Sequence, residues 1–227
     1  MKFFIENQKV EKELEWVKAQ VRLHMNGAAS SQMEERGIKY RVNYGVALPH
    51  LKQLAKKIPV GYELAQRLWF LQIRETMLLA ALTVSEKDMT QQRCIEWGEK
   101  IDNKDLVERS AMLLWSRIDG LDEVLDKWLN EGDQYLKATA FYTIGRKLQL
   151  GRHPENSTIK KLIELIKEDD SALVYAALAY ALRQHIRLSR NDVELYTVFV
   201  SRLKEQPESF KKAIAIELET ELDLFNL

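Results

Sequence analysis

Glycine and proline are scarce in this chain of 227 residues, nine and four respectively, which argues against an all-β architecture built on many tight turns. A single cysteine, Cys94, rules out an intramolecular disulfide and suits a reducing compartment. No apolar run approaches the roughly 20 residues needed to span a bilayer. The brief Phe3-Phe4-Ile5 run is broken at once by Glu6, so no signal peptide is expected. These absences predict a soluble, cytoplasmic protein with no membrane partner. The four histidines, His24, His50, His153 and His185, lack ligand spacing, so neither a metal nor a cofactor is expected. No Gly-rich phosphate loop follows a strand, and no serine or cysteine stands beside an evident base. Cys94, followed by Ile95, Glu96 and Trp97, reads as a helix-packing thiol.

What the chain does contain is helix-forming. Leu, Ala, Glu, Lys and Gln dominate, and 46% of residues are hydrophobic, enough for one large core or two small ones. Helical patterns are predicted over 8–25, 49–58, 62–70, 73–84, 87–100, 103–116, 121–130, 133–150, 156–167, 171–187, 192–204 and 208–222. Residues 28–46, punctuated by Gly27, Gly37 and Gly45, read as the longest irregular segment. Five helices look alike, beginning at Ile73, Leu106, Leu136, Leu173 and Phe210, at spacings of 33, 30, 37 and 37 residues. That is the interval of helical-hairpin repeats. Their alanines permit close backbone approach, so they should form an inner layer, with the more charged partner helices outside. The fold predicted is an all-α, curved α-solenoid of antiparallel HEAT-like (armadillo-type) hairpins in a single domain. Within it, 1–60 supplies N-terminal helices and a loop, and 61–227 the regular pairs. Trp69, Trp97, Trp115 and Trp128 fall at apolar helical positions and are expected in the core.

Charge is balanced at 34 basic and 34 acidic residues, but it is segregated. Three stretches contain no Asp or Glu: 36–62 (Arg36, Lys39, Arg41, Lys52, Lys56, Lys57), 134–154 (Lys137, Arg146, Lys147, Arg152) and 171–191 (Arg183, Arg187, Arg190). Tyr180, Arg183 and Arg187 share a helical face, as do Ala138, Tyr142, Arg146 and Gln149. Gathered on a concave surface, these residues would attract polyanions through phosphate contacts and counterion release. The alternative is that the cations pair with acids of the outer layer. The segment Ile101–Trp115 adds Lys104, Glu108, Ala111 and Trp115 on one flank. Asp102 or Asn103 can cap that helix. A carboxylate beside an amine there is either a functional edge or an ordinary surface i,i+4 pair.

The sequence resembles the AlkD-type DNA alkylation repair proteins, HEAT-repeat DNA glycosylases that excise positively charged alkylated purines. The resemblance is carried by Tyr44-Gly45-Val46 followed by Pro49 and Leu51, by Leu68-Trp69 with Arg74-Glu75, by Asn103 to Glu108, and by Ala179 to Gln184. It implies that the family's catalytic Asp falls on Glu108. Its neighbouring Trp falls on Lys104, its second stacking Trp on Tyr180, and its DNA-contacting Arg on Ala138. Aromatic faces attract a cationic base by about 0.5–2 kcal/mol per contact, and Lys104 reverses that sign. The expectation is a DNA-binding protein with Glu108 as residual catalytic carboxylate, at most a weak DNA glycosylase hydrolysing the N-glycosidic bond. Lys104, Lys137, Tyr142, Arg146, Tyr180, Arg183, Arg187, Tyr44 and Lys56 are the expected nucleic-acid contacts. The partner implied is double-stranded DNA, alkylated or non-canonical. A non-catalytic scaffold binding a protein partner or structured nucleic acid is the alternative.

Overall fold

Helices begin where short polar side chains can accept a first-turn amide. Asn7, Asn26, Thr90, Asn103, Asp133 and Thr158 each do so. The computed structural model describes residues 7–154, 158–188 and 192–226, and among these it contains thirteen α-helices. They are α1 Gln8–Leu23, α2 Gly27–Glu35, α3 Leu48–Ala55, α4 Tyr62–Phe70, α5 Arg74–Thr83, α6 Gln91–Gly98 and α7 Lys104–Leu113. There follow α8 Asp122–Glu131, α9 Gln134–Gln149, α10 Ile159–Glu164, α11 Ala172–Leu188, α12 Val193–Glu205 and α13 Ser209–Asn226. Short 3-10 turns lie at Glu86–Asp88 and Trp115–Arg117. The only pairing of extended backbone among the described residues is an isolated parallel bridge between Val42 and Ile73.

Several expected spans change. The stretch expected to be irregular contains α2, which buries no residue and so leaves no apolar stripe in the sequence. The expected 87–100 helix is a 3-10 turn followed by the shorter α6, and the 103–116 helix ends at Leu113. The cap of α7 is Asn103, whose side chain accepts the Leu106 amide at 3.1 Å. Arg190, one of the cations noted above, lies outside the described residues.

The helices group into two compact units, Met1–Leu114 and Trp115–Leu227. In the first, α5 packs against α3, α4 and α7 and buries nine of its ten residues. Trp69 and Trp97 are fully buried and stacked, with ring centroids 4.7 Å apart. Cys94 is buried as expected, and burial pushes its thiol up to about 12.

In the second unit α9, α11 and α13 lie side by side, with α8, α10 and α12 as their hairpin partners. This is the alternation of Ala-rich and charged helices that the repeat predicts. Trp115 and Trp128 pack edge to face in its core. Its inner helices carry buried lysines that reach into interhelix connections: Lys147 donates to Ile118 O, Lys211 to Glu168 O, and Lys137 to Asp170. At Gly145, α9 packs tightly against α11. A Cβ there would lie 2.6 Å from Tyr180 Cδ1 and 2.9 Å from Ala181 Cα. Gly145→Ala should therefore destabilise by about 1–3 kcal/mol, overriding the gain of about 1 kcal/mol that alanine brings to a helix interior. A raised melting temperature would contradict this packing argument.

Candidate nucleic-acid interface

In the first unit, the centre of the α7 region is Asp105 rather than Glu108. Asp105 Oδ2 accepts from Tyr40 Oη and from Arg74 Nε, each at 3.0 Å, while Oδ1 accepts from Arg109 Nε at 3.2 Å. Arg74 also donates to Val46 O at 3.0 Å and to Glu75 Oε1 at 3.2 Å. Glu75 in turn accepts the amides of Tyr44 and Val46. Arg74 and Glu75 are buried, at 5% and 0% exposure. Two charged residues here serve as backbone anchors for the segment 40–46. Burial works against the Arg74 guanidinium, but the Asp105 charge and hydrogen bond outweigh it and raise its pKa. Burial, then the Asp105 charge, raises the Tyr40 phenol, which stays a hydrogen-bond donor. Gly45, at φ +70°, has no room for a side chain, since a Cβ would meet Asn26 O at 2.1 Å.

Lys104 and Glu108 are both exposed, one turn apart on α7. Lys104 Nζ donates to Arg36 O at 2.9 Å. A backbone oxygen thus holds the lysine, where the sequence suggested the Glu108 carboxylate. Glu108 engages neighbours of its own. Ala111 is buried, and Trp115 lies beyond the end of α7 in a 3-10 turn, so the flank read from the sequence sinks into the core after Glu108. Tyr44 is partly buried, and its amide is spent on Glu75. Lys56 is exposed at the C-cap of α3.

In the second unit, α9 and α11 bring Tyr142 and Tyr180 together, with ring centroids 5.5 Å apart. Tyr180 Oη donates to Gln149 Oε1 at 3.0 Å, and Arg146 reaches the same oxygen. Burial raises the Tyr180 pKa against the opposing charges of Arg146, Arg183 and Arg187, so it remains a neutral phenol.

The two arginines downstream are already matched by acids. Arg183 pairs with Glu217, and Arg187 grips Glu221 through two bonds, Nε at 2.6 Å and Nη2 at 3.0 Å. The Glu221 hydrogen bond raises the Arg187 pKa, against a smaller opposing effect of burial. The acids come from α13, the neighbouring Ala-rich helix, not from the outer layer. Lys137 departs furthest from expectation. It is 4% exposed and bound to Asp170, so its ammonium faces the core and cannot serve as a surface phosphate contact. Ala138, where the resemblance places a DNA-contacting arginine, is fully buried.

An all-α repeat fold with these pairs defines a class, and comparison with known proteins agrees. The chain belongs to the DNA alkylation repair enzyme family, whose sequence model matches residues 17–218. It is also similar to a solved structure described as "a new family of proteins related to the HEAT-like repeat DNA glycosylases with affinity for branched DNA structures". That match has a TM-score of 0.73 at 20% identity and covers 93% of this chain and 94% of the other. At this identity the likeness speaks for the fold. No individual curated protein matches the sequence. Among the described residues no cluster of three or more His, Cys, Asp or Glu is arranged to hold a metal, and no helix is long and apolar enough to cross a membrane.

Proposed function

We propose that the protein binds DNA, with branched or otherwise non-canonical forms as its targets, and that its glycosylase activity is weak or absent. The observation that carries this reading is Lys104. It stands exposed in the first turn of α7, one turn before the carboxylate of Glu108. The resemblance calls for an aromatic face at that position. An ammonium opposes a cationic alkylated base where an indole would attract it. Glu108 retains the negative charge that could stabilise oxocarbenium character as an N-glycosidic bond breaks. Tyr180, backed by Tyr142, retains an aromatic surface. Affinity for DNA is supported by family membership, and branched forms as targets by the likeness to a solved relative described as having affinity for branched DNA.

The test is release of 7-methylguanine from duplex DNA. Release no faster than the spontaneous rate, and unchanged in Glu108→Gln, is expected. Release that disappears in Glu108→Gln overturns the inactive reading. The second reading, a scaffold for a protein partner, is favoured by the neutralisation of Arg183 and Arg187 within the chain. Binding to duplex and four-way-junction DNA separates the two. Phosphate contact predicts affinity that falls steeply with added salt, whereas no binding at low salt leaves the protein-partner reading.

A further inference from the structure

The cations of the first unit are arranged quite differently from those of the second. After α2 the chain turns through a Schellman motif: Gly37 adopts φ +76° and donates to Glu34 O at 2.8 Å, and Ile38 N reaches back to Met33 O at 3.0 Å. From there exposure alternates residue by residue. Ile38, Tyr40 and Val42 face inward in part, while Lys39 and Arg41 are exposed. That period of two fits a locally extended run leading into the bend at Arg41 and the bridge at Val42, and it puts Lys39 and Arg41 on one outward edge. At about 3.3 Å per residue their stems stand about 6.6 Å apart, close to the separation of consecutive phosphates along a strand. Arg36, at the C-cap of α2, continues the exposed basic edge.

The strip is held from within. Lys104 donates to Arg36 O, Tyr40 donates to Asp105, the Arg74 amide donates to Val42 O at 3.0 Å, and Glu75 accepts from the amides of Tyr44 and Val46. Backbone ordered in this way does not have to lose its freedom when a ligand arrives. None of the side chains of Arg36, Lys39 and Arg41 forms an ion pair or hydrogen bond among the described residues. In the second unit, by contrast, Arg183 and Arg187 are committed to carboxylates.

We infer that the strip Arg36–Arg41 is a backbone clamp for the phosphodiester groups of nucleic acid, and that it contributes more to affinity than the arginines of α11. This inference rests on the DNA-binding reading above and says which surface carries it. Charges on a prearranged edge contact phosphates without reading bases, so the clamp gives affinity and register rather than sequence preference.

The experiment is fluorescence anisotropy with the full chain, a labelled short duplex and a four-way junction, across a salt series. The variant Arg36→Gln/Lys39→Gln/Arg41→Gln should bind about tenfold more weakly at low salt. Its slope of log affinity against log salt should be shallower by about 2–3. Arg36→Lys/Arg41→Lys, which keeps the charges, should stay within about twofold of wild type. Arg183→Gln/Arg187→Gln should change the slope by less than one unit. Wild-type affinity and slope in the triple variant overturn the clamp while leaving DNA binding intact, as does a larger loss from the α11 pair. No binding by the wild-type chain removes the DNA reading itself, and the clamp with it.

Discussion

Arg74→Ala is expected to lower the unfolding free energy by about 3–5 kcal/mol, the usual result of stripping the cation from a buried charged cluster. Arg74 touches Asp105, Glu75 and the Val46 carbonyl, and both carboxylates are nearly or wholly buried. Removing the guanidinium leaves two buried carboxylates with much of their compensation gone. Urea denaturation measures this directly: the midpoint should fall while the slope stays unchanged. Amide exchange should also accelerate in residues 40–46 more than in α1 or α4, because the anchors of that segment pass through Arg74 and Glu75. A loss below about 1 kcal/mol, the scale of an exposed ion pair, would show that the network is not what holds the segment.

The second large effect is expected at the α10–α11 connection, which Lys137 of α9 reaches. Asp170 accepts from Lys137, from the Lys167 amide at 2.7 Å and from the Gln134 side chain at 3.1 Å. Burial alone would raise its pKa, but the Lys137, Lys167 and Gln134 hydrogen bonds outweigh that and lower it. Because the folded-state value lies below the unfolded one, this carboxylate's contribution is fully present above the ordinary aspartate range. It is lost as pH falls through the folded value. Asp170→Asn should therefore cost about 3 kcal/mol at neutral pH by leaving the Lys137 ammonium buried without its counter-charge. The gap between wild type and variant should stay flat down to about pH 5 and shrink below about pH 4. Pairing Asp170→Asn with Lys137→Met should recover part of the loss, since apolar replacement of a buried pair is often near neutral. A gap that widens in acid would contradict the assignment.

Most of the architecture was legible because the apolar residues repeat at helical spacing and the hairpins repeat at a nearly constant interval. The span 62–70 is the observed α4, and the burial of the four tryptophans follows from their positions on apolar stripes. Helix α2 was invisible for the converse reason: it buries no residue, so periodicity carried no signal. The pattern predicted over 8–25 ends as α1 at Leu23, and Asn26 caps the start of α2, a role its short polar side chain fills without any apolar signal. At the site, Glu108 and Lys104 stand exposed where an accessible pair was expected. The role of Asp105 was hidden because its partners Tyr40 and Arg74 lie 65 and 31 residues away. Lys137 misled for a related reason: an acid-free stretch of sequence says nothing about an aspartate 33 residues further on that folds back against it.

The three buried lysines of the second unit differ in what they grip, and the difference governs which connections can drift in sequence. Across the connections, Lys147 and Lys211 hold main-chain oxygens, at Ile118 and Glu168, while Lys211 also bonds the Glu208 carboxylate three residues before it. Every amino acid presents that atom, so exposed Glu168 can be exchanged without untying its loop. Lys137 holds a side chain, and its connection stays tied only while position 170 offers an anion. Of these tethers, two leave spelling open and one dictates a letter.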